Sequence, residues 1–142
     1  MFSWLDRFQP FGALVMRVVL GAIMVAHGYQ KVIPHGALDN FTRTVTHLGL
    51  PSWLGYMAAF TEFFGGMLLI VGLLSRIVGC FVTIEMAIAI YKVNLHGGIL
   101  ASNGYAFPLA CLAVALMLVF TGSGALALDD LLGKGSMGAR AR

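Results

Sequence analysis

The sequence predicts an all-α membrane protein, built as a four-transmembrane-helix bundle with a short interfacial helix between helices 1 and 2. Hydrophobic residues make up 59% of the chain and charged residues 11%. Compared with soluble domains, the first share is high and the second is low. Four apolar runs are each long enough to cross a bilayer as a helix, and short stretches rich in Gly, Pro and polar residues separate them.

The chain begins with an amphipathic segment, 1–10, and continues with the first spanning helix over 11–33. Pro34 ends that helix, because proline disfavours helical backbone in the residue before it. Gly21 and Gly28 lie on one face of the helix. Faces of small residues allow helices to approach closely in lipid.

A polar connection follows over 35–51, and it carries Phe41, Val45 and Leu48 at helical spacing. This spacing predicts a short amphipathic helix that lies flat on the membrane surface. Gly49 ends the helix, because glycine after the last periodic residue is a common stop signal.

The remaining spans are predicted over 53–74, 77–95 and 105–121, separated by short turns. Together with the preceding elements they form one membrane domain over 1–133, which suits the 142-residue length of the chain. The final residues, 134–142, are rich in Gly and Arg and predict a disordered basic tail.

The distribution of Lys and Arg predicts that both termini lie in the cytoplasm. With the N-terminus inside, five cationic residues fall on the cytoplasmic side and three on or near the outer side. The five are Arg7, Arg76, Lys134, Arg140 and Arg142, and the three are Lys31, Arg43 and Lys92.

Glu62 lies near the middle of the second span. An ionised side chain at that depth costs roughly 3 kcal/mol or more, so it almost always faces a bundle interior and has a partner. The predicted neighbours are the cationic groups of the outer half, His27, Lys31 and Lys92. Because a buried carboxyl can exchange a proton with a bound ligand, Glu62 is the candidate catalytic residue.

Arg17 and Glu85 are the other charged residues deep in the spans. A rise of about 1.5 Å per residue places Arg17 roughly 9 Å and Glu85 roughly 12 Å above the cytoplasmic edge. Their similar height predicts a structural ion pair that closes the floor of the bundle.

The remaining polar side chains of the spans cluster toward the outer edge, and they predict a polar cavity in the outer half of the bundle. The ligand-binding residues predicted for this cavity are His27, Gln30, Lys31, Glu62, Lys92 and His96. The alternative, which the residues leave open, is an internal network of charges that only fixes the register of the helices.

The sequence carries no motif for a metal, haem, flavin or iron–sulfur cluster. It has no HxxxH, HExxH or CxxC pairing, no glycine-rich phosphate loop and no nucleophile elbow. The net charge of +3 comes from scattered Lys and Arg residues and not from a basic stripe, which argues against a nucleic-acid partner. The lipid bilayer is therefore the one partner that composition itself predicts.

A series of different short motifs is distributed along nearly the whole chain. In order they are Arg17, His27-Gly28-Tyr29-Gln30-Lys31, Leu48-Gly49-Leu50-Pro51, Glu62-Phe63-Phe64-Gly65-Gly66, Glu85-Met86, His96-Gly97-Gly98, Asn103-Gly104-Tyr105 and Gly122-Ser123-Gly124. This set resembles the DoxX family. Many members of that family carry Glu directly after the tyrosine that opens the fourth helix, where this chain has Ala106.

The resemblance implies a four-helix protein of the bacterial inner membrane with a redox association. Relatives include the membrane subunit of a thiosulfate:quinone oxidoreductase, and others are linked to oxidative stress and to sulfur-transfer partners. By this resemblance the chain would be a redox-linked subunit with quinone as the candidate ligand, and the cofactor itself stays unknown from the sequence.

Two functions from different classes are compatible with these observations. In the first, a redox-linked subunit, acting as an oxidoreductase with quinone, holds a quinone head group or a small sulfur anion in the cavity and works with a redox or sulfur-transfer partner. In the second, a non-enzymatic scaffold or small-solute carrier uses its buried charges only for structure. Four helices and a glycine-lined face are compatible with a homodimer.

Overall fold

The computed structural model describes residues 7–129, and within that range the chain is helical and has no β-strand. The helices in chain order are α1 Gln9–Val32, α2 Ala37–His47, α3 Ser52–Val71, α4 Ser75–Gly97 and α5 Ala106–Thr121. The prediction of an all-α architecture is confirmed for these residues. The predicted tail, 134–142, and most of the amphipathic segment, 1–10, lie outside them.

Three of the helices, α1, α3 and α4, are long and apolar enough to cross a membrane. The fourth apolar helix, α5, has 16 residues, which corresponds to a length of about 24 Å. The count of four spanning helices stays a prediction. The short helix between the first two spans does form, as α2, and its position on the membrane surface also stays a prediction.

Glycines bring α1 and α3 into close contact. A Cβ atom built on Gly21 would lie 2.7 Å from the carbonyl oxygen of Gly66, and one built on Gly66 would lie 2.8 Å from the carbonyl oxygen of Gly21. No larger residue fits at either position without separating the helices. The glycine face of α1 therefore packs against α3 within the protein, and a homodimer stays a prediction.

The apolar core lies where α1, α3, α4 and α5 meet. Its largest fully buried apolar side chains are Met24, Leu69, Val82 and Leu118, one from each helix. The second half of α3 packs on α1, and α4 packs along α5, while α2 covers the beginning of α3. Polar groups inside the bundle are therefore held between helices whose positions the apolar core fixes.

The segment after α5, residues 122–129, folds back under the bundle and provides the partners of Arg17. The guanidinium group of Arg17 donates to the carbonyl oxygens of Ser123 at 3.1 Å and Leu126 at 2.9 Å. The prediction that Arg17 pairs with Glu85 is wrong, since no ion pair joins them among the described residues. Depth along a helix fixes the height of a side chain but not the direction in which it points, and Arg17 points toward the carbonyls of a non-helical segment.

Asp129 fixes the same segment to the turn between α3 and α4. Its carboxylate accepts hydrogen bonds from the backbone N–H of Leu74 at 2.8 Å and of Ser75 at 3.3 Å. It also accepts one from the hydroxyl of Ser123 at 2.5 Å. Burial acts to raise the pKa of the Asp129 carboxyl, but these hydrogen bonds and the charge of Arg17 outweigh it, so the pKa lies below its usual range.

Candidate functional site

An ion pair between Lys31 and Glu62 lies in the interior of the bundle. The ammonium nitrogen of Lys31, in the last turn of α1, is 2.5 Å from Oε2 of Glu62, in the middle of α3. Glu62 is 3% exposed. The side chain of Lys31 is 23% exposed, so the pair is open to its surroundings only on the lysine side. The structure thus gives Glu62 a partner from the predicted cationic neighbours.

Local backbone structure explains why these two residues meet. Gly28 lies against the backbone of Phe63, and a Cβ atom at position 28 would collide with it. Because Lys31 follows Gly28 by about one helical turn and Glu62 precedes Phe63, this close approach brings both polar side chains to the same level. Glu62 also belongs to a π-helical segment, Thr61–Gly65, and such insertions within α-helices occur frequently at functional sites.

The ammonium group of Lys31 has a second neighbour, the ring of Phe41 from α2. The nitrogen lies 4.3 Å from the ring centroid, a distance at which the aromatic face attracts a cation. Helix α2 therefore covers the ion pair and helps to hold the lysine in place.

Glu85 of α4 completes a three-residue cluster with Lys31 and Glu62. All three residues line the same cavity, and the Glu85 carboxyl is close enough to interact electrostatically with both Glu62 and Lys31. Its Oε2 atom is buried and receives no hydrogen bond from any residue in the described range. We call Lys31, Glu62 and Glu85 the charged cluster. It contains two carboxyl groups and one ammonium group.

A cavity of about 330 Å³ lies beside the charged cluster, between α2, α3 and α4. On α4 its lining residues run from Phe81 to Asn94, a length of about 20 Å. The polar residues of the lining are Lys31, Thr44, Thr61, Glu62, Glu85, Lys92 and Asn94. The rest of the lining is apolar, so the predicted polar cavity is instead a largely apolar one with a charged wall.

Three of the six predicted ligand-binding residues line this cavity: Lys31, Glu62 and Lys92. The other three, His27, Gln30 and His96, are exposed and lie outside the lining. His27 stacks on Phe107 of α5 with 5.3 Å between ring centroids. Although His27 lies one turn before Lys31, its ring packs on α5, and only the lysine side chain reaches the cavity.

Glu85 is the site residue that sequence reasoning assigned to a different role. Its spacing of seven residues from Lys92 placed both on one stripe of the helix, and this signal could have assigned it to the cavity. The π-helical segment Ile90–Asn94, which contains Lys92, had no such signal. Among residues 7–129, no group of three or more His, Cys, Asp or Glu side chains is arranged to hold a metal ion.

Long apolar helices around a buried cluster of ionisable side chains define a helical membrane protein with a charged interior. Residues 12–95, more than half of the chain, match the DoxX family. The chain belongs to the DoxX family, and this membership together with the apolar helices identifies it as a bacterial membrane protein.

Several curated proteins are similar to the chain over most of its length. "Putative oxidoreductase CatD" of Bacillus subtilis (strain 168) is 33% identical over 131 residues, which cover 92% of this chain and 94% of that protein. An uncharacterized protein of Haemophilus influenzae is 30% identical over 130 residues, or 89% and 94% of the two chains. "Inner membrane protein YqjF" of Escherichia coli (strain K12) is 23% identical over 134 residues, or 92% and 98%. No solved structure matches the chain.

Proposed function

We propose that this protein is a redox-linked subunit of the bacterial inner membrane that binds the head group of a quinone beside Lys31, Glu62 and Glu85. The observation that carries the proposal is the charged cluster in the wall of a largely apolar cavity. Ligand sites of this kind combine an apolar lining with a few polar groups that orient the ligand.

The chemistry of the lining favours a quinone over a small sulfur anion. A small anion would lie beside two carboxyl groups, and most of the lining, which is apolar, would face a charged ligand. A quinone ring and its isoprenoid chain would instead bury apolar surface against that lining. Its carbonyl oxygens would accept hydrogen bonds from the cluster.

The position of the cavity favours a ligand that arrives from the lipid. The first half of α3 packs on α1 and α2, and the cavity lies between it and α4. Met57 of α3 and Ile84 of α4 both line the cavity and are also exposed on the outside of the bundle. A membrane-dissolved ligand could therefore enter sideways between these helices.

The proposed arrangement in the membrane has four spanning helices, α1, α3, α4 and α5, with both termini in the cytoplasm. In that orientation α2 lies on the outer surface, and the charged cluster is closed from the cytoplasm by the core and by residues 122–129. The shorter α5 has a length close to the hydrocarbon thickness of a thin bilayer.

The similarity to a protein named as an oxidoreductase supports the redox part of the proposal. Reducing a quinone to a quinol takes two electrons and two protons. The electrons would come from a redox partner protein or from a reduced sulfur compound, since the sequence carries no motif for a redox cofactor of its own. The carboxyl groups of the cluster would exchange protons with the ligand.

The test is quinone binding by purified protein in lipid nanodiscs, together with mass spectrometry of quinone that co-purifies in mild detergent. Glu62→Gln keeps the size of the side chain but removes its charge and with it the anchor of Lys31. We expect it to fold and to bind quinone at least about tenfold more weakly, since hydrogen bonds to charged groups are worth about 1.5–3 kcal/mol. Asp39→Asn, the same chemical change at an exposed residue of α2, is the control and should bind normally.

The alternative is a scaffold or small-solute carrier in which the charged cluster is structural. The ion pair favours this alternative in one respect, because Lys31 and Glu62 join α1 to α3 without any ligand. A well-folded Glu62→Gln protein with unchanged quinone binding would support the scaffold and refute the quinone site.

A further inference from the structure

The charged cluster is unbalanced when all its members are ionised. Lys31 supplies one positive charge and is hydrogen-bonded to Glu62, while Glu85 brings a second carboxyl group next to the first. Two adjacent carboxylates repel each other, and an uncompensated charge inside a membrane costs roughly 3 kcal/mol or more. The cluster is neutral if it holds one extra proton.

The hydrogen bonding of Glu85 indicates that this carboxyl group carries the extra proton. Its Oε2 atom is buried, and no donor among the described residues reaches it. Its polar neighbour, Glu62, offers only acceptor oxygens when ionised. A proton on Glu85 turns the carboxyl into a donor to Glu62, and the contact between two acceptors becomes a hydrogen bond.

No other described group that faces the cluster supplies a second buried positive charge. The residues with which α2 lines the cavity are Phe41, Thr44, Val45 and Leu48, none of which titrates. From α4, Lys92 lines the cavity, but it is exposed and its nitrogen is turned toward the ring of Tyr91, 5.8 Å from the centroid. From α5, the thiol of Cys111 is close enough to interact electrostatically with Glu62, but a thiol is neutral or negatively charged and supplies no positive charge.

We infer that Glu62 and Glu85 hold one proton between them, with Glu62 the carboxylate bound to Lys31 and Glu85 the carboxylic acid, and that this proton makes the site select the oxidised form of the quinone. The first part stands on the geometry of the cluster, and the second rests on the proposed function.

The selection follows from the donors and acceptors that the cavity wall presents. Lys31 is an ammonium group with N–H donors beyond the one bound to Glu62, so it can donate to the carbonyl oxygen of a quinone, while the proton of Glu85 is donated to Glu62. A quinol presents hydroxyl donors and needs an acceptor, but the Glu62 carboxylate already accepts from Lys31 and from Glu85. Loss of the proton frees carboxylate oxygens for the quinol, so rising pH should strengthen quinol binding relative to quinone binding.

The proton itself is tested by infrared spectroscopy of the ligand-free protein in lipid nanodiscs at neutral pH. We expect the carbonyl band of a protonated carboxylic acid, shifted on exchange into heavy water. The chain has only six Asp and Glu residues, so the band can be assigned by substitution. Glu85→Gln should abolish it, and Asp39→Asn should leave it unchanged. Glu62→Gln should also abolish it, because Lys31 is then free to pair with Glu85.

The wild-type spectrum is decisive without any variant. A wild-type protein with no protonated carboxyl band at neutral pH would overturn the inference, and so would a band that persists in Glu85→Gln.

The selection is tested by titrating decylubiquinone and its reduced quinol form into the same nanodiscs across pH. In the wild type we expect the ratio of quinone affinity to quinol affinity to fall about tenfold or more as pH rises. This factor corresponds to the free energy of one hydrogen bond to a charged group. In Glu85→Gln the preference should not depend on pH. A pH-independent preference in the wild type would contradict the selection.

The two measurements separate the inference from the proposed function. A protonated carboxyl band without binding of either form would leave the shared proton standing and refute the quinone site. Binding of both forms without the band would leave the quinone site standing and refute the shared proton.

Discussion

The two ends of the bundle bury charge in different ways. At one end the guanidinium group of Arg17, which is 1% exposed, donates to the carbonyl oxygens of Ser123 and Leu126. At the other end Lys31 and Glu62 form an ion pair, and the adjacent Glu85 keeps a buried oxygen without a donor. In the first arrangement the charged group donates to backbone carbonyl oxygens, whereas the second lines a cavity of about 330 Å³.

This difference separates a structural charge from a candidate functional one. Backbone carbonyls do not titrate and cannot move independently of the fold, so the hydrogen bonds from Arg17 to Ser123 and Leu126 hold the segment after α5 in place. Carboxyl groups can exchange protons, and a cavity gives a ligand access to them. An ionisable residue in a membrane helix is therefore informative about function only once its partners are known.

The largest effect on folding is expected at the Arg17 end. Arg17→Met should lower the stability by roughly 1–3 kcal/mol through the Ser123 carbonyl oxygen, since a buried group without its hydrogen bond carries the full cost of desolvation. The partly buried hydrogen bond to Leu126 should add less. Thermal unfolding in detergent measures this effect. Arg76→Met, at an exposed residue near the same end, is the matched control and should change little.

The same variant tests the comparison against the ion pair that the sequence predicted. Adding Glu85→Gln to Arg17→Met should not restore stability, because the two residues have separate partners. A double variant that is clearly more stable than Arg17→Met would show that Arg17 and Glu85 interact and would remove the distinction between the two ends.

A smaller effect is expected from pH at Asp129. Its pKa is lower in the folded protein than in the unfolded chain, so the stability it contributes is present above the unfolded pKa and is lost as pH falls through the folded pKa. The wild type should therefore lose this contribution below roughly pH 4, near the ordinary pKa of an aspartate. Asp129→Asn should lose less stability than the wild type over that range.

Unfolding midpoints measured from neutral to acidic pH give the comparison, with Asp39→Asn as the control for a carboxyl outside the closing segment. Parallel pH profiles for the wild type and Asp129→Asn would mean that Asp129 does not secure the segment.

Sequence reasoning was sufficient for the helices and for one contact of the site. Apolar runs and Pro34 predict α1, and the spacing of Phe41, Val45 and Leu48 predicts α2, because both signals are local. Lys31 was among the predicted neighbours of Glu62 because a buried carboxylate needs a cationic partner that its side chain can reach at a similar depth in the membrane.

The rest depended on information that a local pattern does not contain. The pairing of Arg17 depends on how residues 122–129 fold back, which is a tertiary property. The association of Glu85 with Glu62 depends on the rotation of α4 about its axis. The π-helical segment Thr61–Gly65, which sets the direction of Glu62, has no periodicity of its own from which it could be predicted.

The most direct test of the quinone site is photolabelling of the wild-type protein in membranes with an azidoquinone, followed by mass spectrometry of its peptides. We predict labels on the cavity-lining parts of α3 and α4, around Met57 and between Phe81 and Asn94, and loss of the labels when excess unlabelled quinone competes. Labels confined to α5 or to the surface around His27 and His96, or labels that unlabelled quinone does not displace, would contradict the account.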